Sequence, residues 1–268
     1  MDTLDQSPST QDELDAQPLI RHLIDLRNRI LKSVLGVVLV FVPLAYYAND
    51  IYAWMAKPLL RHMPAGTQMI AIDVASPFFI PFKLTLVTAL VVAVPWVLFQ
   101  VWAFVAPGLY RRERRLVLPL LVASTLLFYT GIAFAYWVVF PLMFGFLSAT
   151  TPAGVTMMTD ISHYLDFILT IFVAFGIAFE VPIATILLVW SGIVSRETLA
   201  ANRPYVIVGA FVIGAILTPP DVVSQTLLSV PIWLLFEAGL WISALFKPSA
   251  DRLEDDGIPE LEPTHSDP

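Results

Sequence analysis

Six long apolar stretches govern what this chain can become: Ile30–Ala48, Phe78–Ala106, Leu116–Leu147, Tyr164–Trp190, Pro204–Leu217 and Val222–Phe246. Each is long enough for a helix, and most approach or exceed the ~20 residues needed to cross a bilayer. Within lipid a segment must satisfy its own backbone polar groups, which a helix does. The intervening segments carry turn residues: Asn49-Asp50, Met63-Pro64-Ala65-Gly66, Thr151-Pro152-Ala153-Gly154 and Thr218-Pro219-Pro220-Asp221. The expected architecture is all-α, a polytopic membrane protein of six transmembrane helices.

Composition agrees. Of 268 residues, 57% are hydrophobic and 14% charged, against about 45–50% and 25% in soluble domains. So little charge cannot cover a soluble surface. The excess of acids, 22 Asp+Glu against 15 Lys+Arg, is concentrated at the two ends. Residues 1–17 and 247–268 are polar and rich in Pro or Ser, and are expected to be disordered, solvated tails around a membrane domain at 18–246. The middle is slightly basic, as anchoring cations require, and carries no argument for a nucleic-acid partner. The chain has no Cys, which excludes disulfides, thiol chemistry and Cys-based metal sites. Its first residues are acidic rather than basic then apolar, so the first span is expected to direct insertion itself.

Cations set the expected orientation. Arg21, Arg27, Arg29 and Lys32 open span one; Arg111, Arg112, Arg114 and Arg115 crowd the second connection; Arg196 and Arg203 lie in the fourth; Lys247 and Arg252 follow span six. The first connection holds only Lys57 and Arg61, and the third and fifth hold none. The positive-inside rule then puts both termini in the cytoplasm. Span five, Pro204–Thr218, is short: 15 residues reach about 22 Å, against a hydrocarbon core of about 30 Å. Pro219-Pro220 ends it. Prolines elsewhere in the spans, such as Pro141 and Pro182, are expected to kink helices. After span one, Ile51, Trp54, Met55, Pro58, Leu59 and Met63 recur at near-helical spacing, suggesting a helix lying at the interface.

Ionisable residues at lipid depth are costly and point to function by default. Glu180 is in the middle of span four and must be neutral, paired or facing a wet cavity. Lys83 and Asp166, nearer span ends, can snorkel to headgroups. Glu237 lies toward the cytoplasmic end of span six and is open to either reading. On the cytoplasmic side, His22-Leu-Ile-Asp-Leu-Arg-Asn-Arg29 and Trp102–Arg115 each hold one acid, Asp25 and Glu113, among arginines. Read from the residues alone, these acids are either salt-bridge partners of anchoring arginines or readers of a basic ligand.

Eight segments in order resemble the TatC family: His22–Arg29, Asp73-Val-Ala-Ser-Pro-Phe-Phe79, Gln100-Val-Trp-Ala-Phe-Val-Ala-Pro-Gly-Leu-Tyr110, Glu113-Arg-Arg115, Phe140-Pro141, Phe175-Gly-Ile-Ala-Phe-Glu-Val-Pro182, Arg203-Pro-Tyr205 and Leu217-Thr-Pro-Pro-Asp221. The resemblance covers roughly residues 17–246. It implies a concave bundle with short fifth and sixth helices in the bacterial cytoplasmic membrane. It also implies a non-enzymatic role: binding twin-arginine signal peptides and exporting folded proteins with TatA- and TatB-like single-span partners, driven by the proton-motive force. By that resemblance Asp25, Leu26, Arg27, Arg29, Phe104 and Glu113 bind the signal peptide, and Glu180 lies on the concave face. Thr218, Asp221 and Gln225 dock a partner helix, and a third polar docking position is Ala215 here. The family usually carries Glu where Asp25 stands, so the carboxylate is one methylene shorter. The resemblance further implies assembly of several copies, contact with membrane lipid, no nucleic acid, no cofactor and no metal.

The rival reading is a proton-coupled secondary transporter with Glu180 as carrier. Six spans with broken helices permit it, but no inverted repeat is visible, and span one offers no carboxylate matching Glu180 near its centre. His22, His62, His163 and His265 are scattered, and no HExxH or Gly-x-Ser-x-Gly pattern occurs.

Overall fold

The computed structural model describes residues 10–60, 68–105, 117–150, 158–218 and 222–244. In chain order it has α1 (Thr10–Tyr46), α2 (Ala48–Leu60), β1 (Gln68–Ile70), α3 (Ser76–Val105), α4 (Val117–Phe134), a π-helical turn (Ala135–Val139), α5 (Phe140–Ala149), β2 (Met158–Asp160), α6 (Ile161–Ala178), α7 (Val181–Trp190), α8 (Arg196–Ala201), α9 (Arg203–Leu217) and α10 (Val222–Ser243). Five stretches are long and apolar enough to span a bilayer: His22–Tyr46, Ser76–Phe104, Leu118–Phe146, Ile161–Trp190 and Val222–Ser243. The shorter apolar helix Arg203–Leu217 makes the sixth, at the position where the sequence requires a short span.

Three differences from expectation have physical reasons. Of the two helices expected to be short only α9 is; α10 runs 22 residues because its apolar run continues through Pro231 to Ser243. Helix α1 starts at Thr10, inside the residues 1–17 assigned to a solvated tail; Gln11–Gln17 supplies Gln, Glu, Leu and Ala, all good helix formers. Residues 1–9 and the tail at 247–268 lie outside the described residues. A two-stranded parallel pair, Gln68–Ile70 against Met158–Asp160, joins the two longest extramembrane connections.

The chain forms two compact units. The first holds residues 1–57 and 75–125, where α1 packs along α3. The Trp96 indole fills the space beside Gly36, where any Cβ would overlap its ring, and its Nε1–H donates to the Lys32 carbonyl at 2.9 Å. Buried Trp102 Nε1–H donates to Ser124 Oγ at 3.3 Å, tying α3 to α4. Along the face that α1 leaves open, Val34, Leu35, Val38, Leu39 and Val42 are exposed apolar residues, as lipid contact requires.

The second unit holds residues 58–74 and 126–268. Its core is aromatic: Phe140 meets Phe172 with centroids 5.1 Å apart, and Phe134 meets Phe175 at 5.6 Å. Small residues let the helices close. A Cβ on Gly131 would overlap the Phe175 carbonyl, and one on Gly239 would come within 2.9 Å of Pro182 on α7. Without a hydrophobic drive between helices in lipid, such close approach supplies the packing energy. Threonine hydroxyls are satisfied within their own helices: Thr130, Thr170, Thr185 and Thr226 each donate to the carbonyl four residues back, so none presents an unmet donor to hydrocarbon.

Candidate functional site

The first group of site residues lies where α1 meets the end of α3. The His22 ring stacks on Phe104, centroids 4.4 Å apart at 32°. Asp25 lies one helical turn beyond His22 and is exposed. Among the described residues it forms no hydrogen bond or ion pair, although Arg29 stands four positions on, at a spacing that brings helix side chains together. The salt-bridge reading of Asp25 therefore finds no partner in α1. Leu23 and Leu26 are exposed beside it, Arg27 is exposed and Arg29 half-buried. The result is a carboxylate on a mixed apolar and cationic helix face with an aromatic ring pair one turn away. Glu113 lies outside the described residues.

Glu180 stands at a break. The helix of span four stops at Ala178 and resumes at Val181. Pro182 has no N–H to offer the carbonyl four residues back, so the ladder cannot run through. Phe179 N–H still reaches the Phe175 carbonyl at 3.0 Å, and Glu180 N–H tightens onto Ile177 at 3.0 Å. Glu180 becomes the residue capping α7, where the helix dipole favours negative charge. Its Oε1 is buried, while the residue as a whole is half-buried. The Phe175–Pro182 motif thus builds a carboxylate into a helix gap, a geometry that a continuous helix would not allow.

The third group lies at the α9–α10 corner. Thr218 is extended (φ −117°, ψ 161°), as a residue before proline prefers. Its N–H and Oγ1–H both donate to the Gly214 carbonyl, at 2.9 and 2.8 Å. It is buried, so its hydroxyl closes the helix end rather than pointing outward. A Cβ on Gly214 would come within 3.1 Å of Ser229 Oγ and 3.3 Å of the Gln225 carbonyl, and Ser229 Oγ–H donates to the Ala210 carbonyl at 3.0 Å. These contacts hold α9 against α10 and leave Gln225 half-exposed and Ala215 exposed. Asp221 lies outside the described residues.

Two polar contacts were not legible in the sequence. Glu237, open to either reading there, takes a two-pronged contact from Arg203: Nε to Oε1 at 2.6 Å and Nη2 to Oε2 at 3.0 Å. Buried Asp160 accepts from the Ile72 N–H at 3.3 Å and has His163 Nε2 at 3.8 Å. Its position just before the apolar run of α6 was the available signal. Lys83 is exposed and Asp166 half-buried, which agrees with a place near the span ends.

Comparison with known proteins follows this geometry. A family model described as "Sec-independent protein translocase protein (TatC)" matches residues 21–231. The chain is 58% identical over 240 residues to a protein of that name from Azotobacter chroococcum mcd 1, covering 90% of this chain and 94% of the relative. It is 57% identical over 232 residues to the one from Escherichia coli (strain K12), covering 87% and 90%. A crystal structure of a twin arginine translocase receptor, TatC, superimposes with a TM-score of 0.76 at 38% identity, covering 84% of this chain and 98% of that one. With the six apolar helices, the Glu180 break and the Thr218 corner in place, this multi-pass inner-membrane protein belongs to the TatC family of Sec-independent protein translocase proteins.

Proposed function

We propose that this chain, as the core subunit of the twin-arginine translocase, reads the paired arginines of a signal peptide with Asp25 and Glu113. Both termini, and with them these two acids, face the cytoplasm in this reading, as the cation distribution requires. A guanidinium offers a planar fork that a carboxylate meets with two parallel hydrogen bonds, and an ammonium cannot reproduce that match. Each such contact is worth about 1.5–3 kcal/mol, enough to select a peptide and still release it. Leu26 and Phe104 offer apolar contact to residues flanking the pair. Arg27 and Arg29 repel an arginine seated out of register.

Export of folded proteins follows when TatA- and TatB-like single-span partners join the bound receptor. Gln225 and Asp221 present polar groups to a partner helix at the α9–α10 corner, and Thr218 holds that corner in shape. Glu180 supplies a polar contact within the membrane. Several copies assemble, and the proton-motive force drives transport.

The single observation that carries this reading is the exposed Asp25, without an ion-pair partner among the described residues, one turn from the His22–Phe104 stack. Crosslinking a photoreactive signal peptide to the purified complex tests it. Asp25→Asn and Glu113→Gln should each weaken capture of an Arg-Arg peptide and narrow its advantage over Lys-Lys, with membrane insertion intact. Wild-type capture and discrimination in both variants would send the search for the recognition site elsewhere.

A further inference from the structure

The Arg203–Glu237 pair lies at the edge of an open groove of about 870 Å³ on the second unit, lined also by Trp233, Ala238, Trp241 and Ile242. Arg203 opens α9, and Glu237 is six residues from the end of α10. Both helices are apolar over their length, so the pair sits near one membrane boundary. Trp241 is 73% exposed there, and indoles concentrate at headgroup level. Ala238 lies between Trp233 and Trp241 in sequence, and on a helix the three positions fall along one side, five and three residues apart. The floor is thus a methyl group between two indole walls, a slot of the shape a polymethylene chain fills.

At the head of the slot the charges are two and opposite. Arg203 spends two of its five N–H groups on Glu237, leaving three donors, and its side chain is 46% exposed. Glu237 accepts one bond on each oxygen and retains lone pairs on both. An anionic headgroup would satisfy the guanidinium and be repelled by the carboxylate. A headgroup with a quaternary ammonium would offer the carboxylate no N–H. A headgroup with a phosphate and, two carbons away, a primary ammonium satisfies both.

We propose that this groove is a binding site for one aminophospholipid. The phosphate takes the free N–H groups of Arg203, the ammonium donates to Glu237, and an acyl chain lies over Ala238 between Trp233 and Trp241. The site is independent of signal-peptide reading, since it uses none of those residues.

Native mass spectrometry of the delipidated protein tests this, using phosphatidylethanolamine, phosphatidylcholine and phosphatidylglycerol of matched chains. The wild type should retain phosphatidylethanolamine in preference to the other two. Ala238→Phe fills the slot without touching the ion pair and should lower retention about tenfold, the loss expected for a contact of about 1.4 kcal/mol. Glu237→Gln should keep lipid but lose the preference over phosphatidylcholine. Trp241→Ala, on the exposed wall, serves as a second slot variant should Ala238→Phe not fold. Equal retention of all three lipids by the wild type would overturn the proposal, as would wild-type retention in both slot variants. So would a lipid-free dimer crosslinked through Trp241→Cys, which would make the groove a contact between copies.

Discussion

Gly36 on α1 faces the Trp96 indole on α3 so closely that no side chain fits between them, and the same indole donates its N–H to the Lys32 carbonyl one turn earlier. The two contacts fix how α1, which carries Asp25, lies on α3, which carries Phe104. Gly36→Leu should lower thermal stability in detergent by about 1–3 kcal/mol, the usual cost of forcing extra atoms into a packed contact. Trp96→Phe keeps most of the packing and loses the hydrogen bond, so it should cost about 1 kcal/mol. Unchanged melting of Gly36→Leu would mean that α1 is not seated on α3 through this pair.

Asp25 has one methylene less than the residue usual in its family. If it reads an arginine, Asp25→Glu should bind a twin-arginine peptide at least as well as the wild type. Asp25→Lys should bind worse than Asp25→Asn, because repulsion is added to a lost contact. Peptide titration against the purified receptor ranks the three. An Asp25→Lys receptor with undiminished affinity would remove Asp25 from the site.

Glu180 should tolerate Gln better than Leu, because its position at the gap between α6 and α7 calls for a polar group whether or not it is charged. Export of a folded reporter at matched expression measures both. Equal and complete loss in the two variants would instead mark it as a proton carrier.

Orientation is testable in this Cys-free background. Single cysteines at Ala65 and Thr151 should react with an impermeant thiol reagent applied from outside, and those at Gly108 and Arg196 should not. Outside labelling of Gly108→Cys would reverse the topology.

The spans and the shortness of α9 were legible because lipid forces long apolar runs, and a run's length survives into structure directly. The break at Glu180 was half legible: Pro182 announces a fault, but not that Glu180 would become the residue capping α7. The outward reading of Thr218 failed to anticipate that a residue held extended before proline can fold its hydroxyl back onto Gly214. Arg203 and Glu237 are 34 positions apart and Ile72 and Asp160 are 88 apart. No periodicity carries information over such separations.

The π-helical turn at Ala135–Val139 was invisible in the sequence, since its residues are as apolar as those on either side. There the Phe140 N–H reaches back five residues, to the Ala135 carbonyl, so the chain carries one residue more than an α-helix would need. That surplus sets the azimuth of everything after it. Removing any one of the five residues would restore a plain α-helix and turn α5 by about 100° about its axis. Phe140 and Phe144 would then swing away from Phe172 and Tyr164, which they now meet at 5.1 and 5.6 Å. A deletion in this turn therefore acts as a frameshift in three dimensions, leaving every downstream residue in the chain but on the wrong side of its helix.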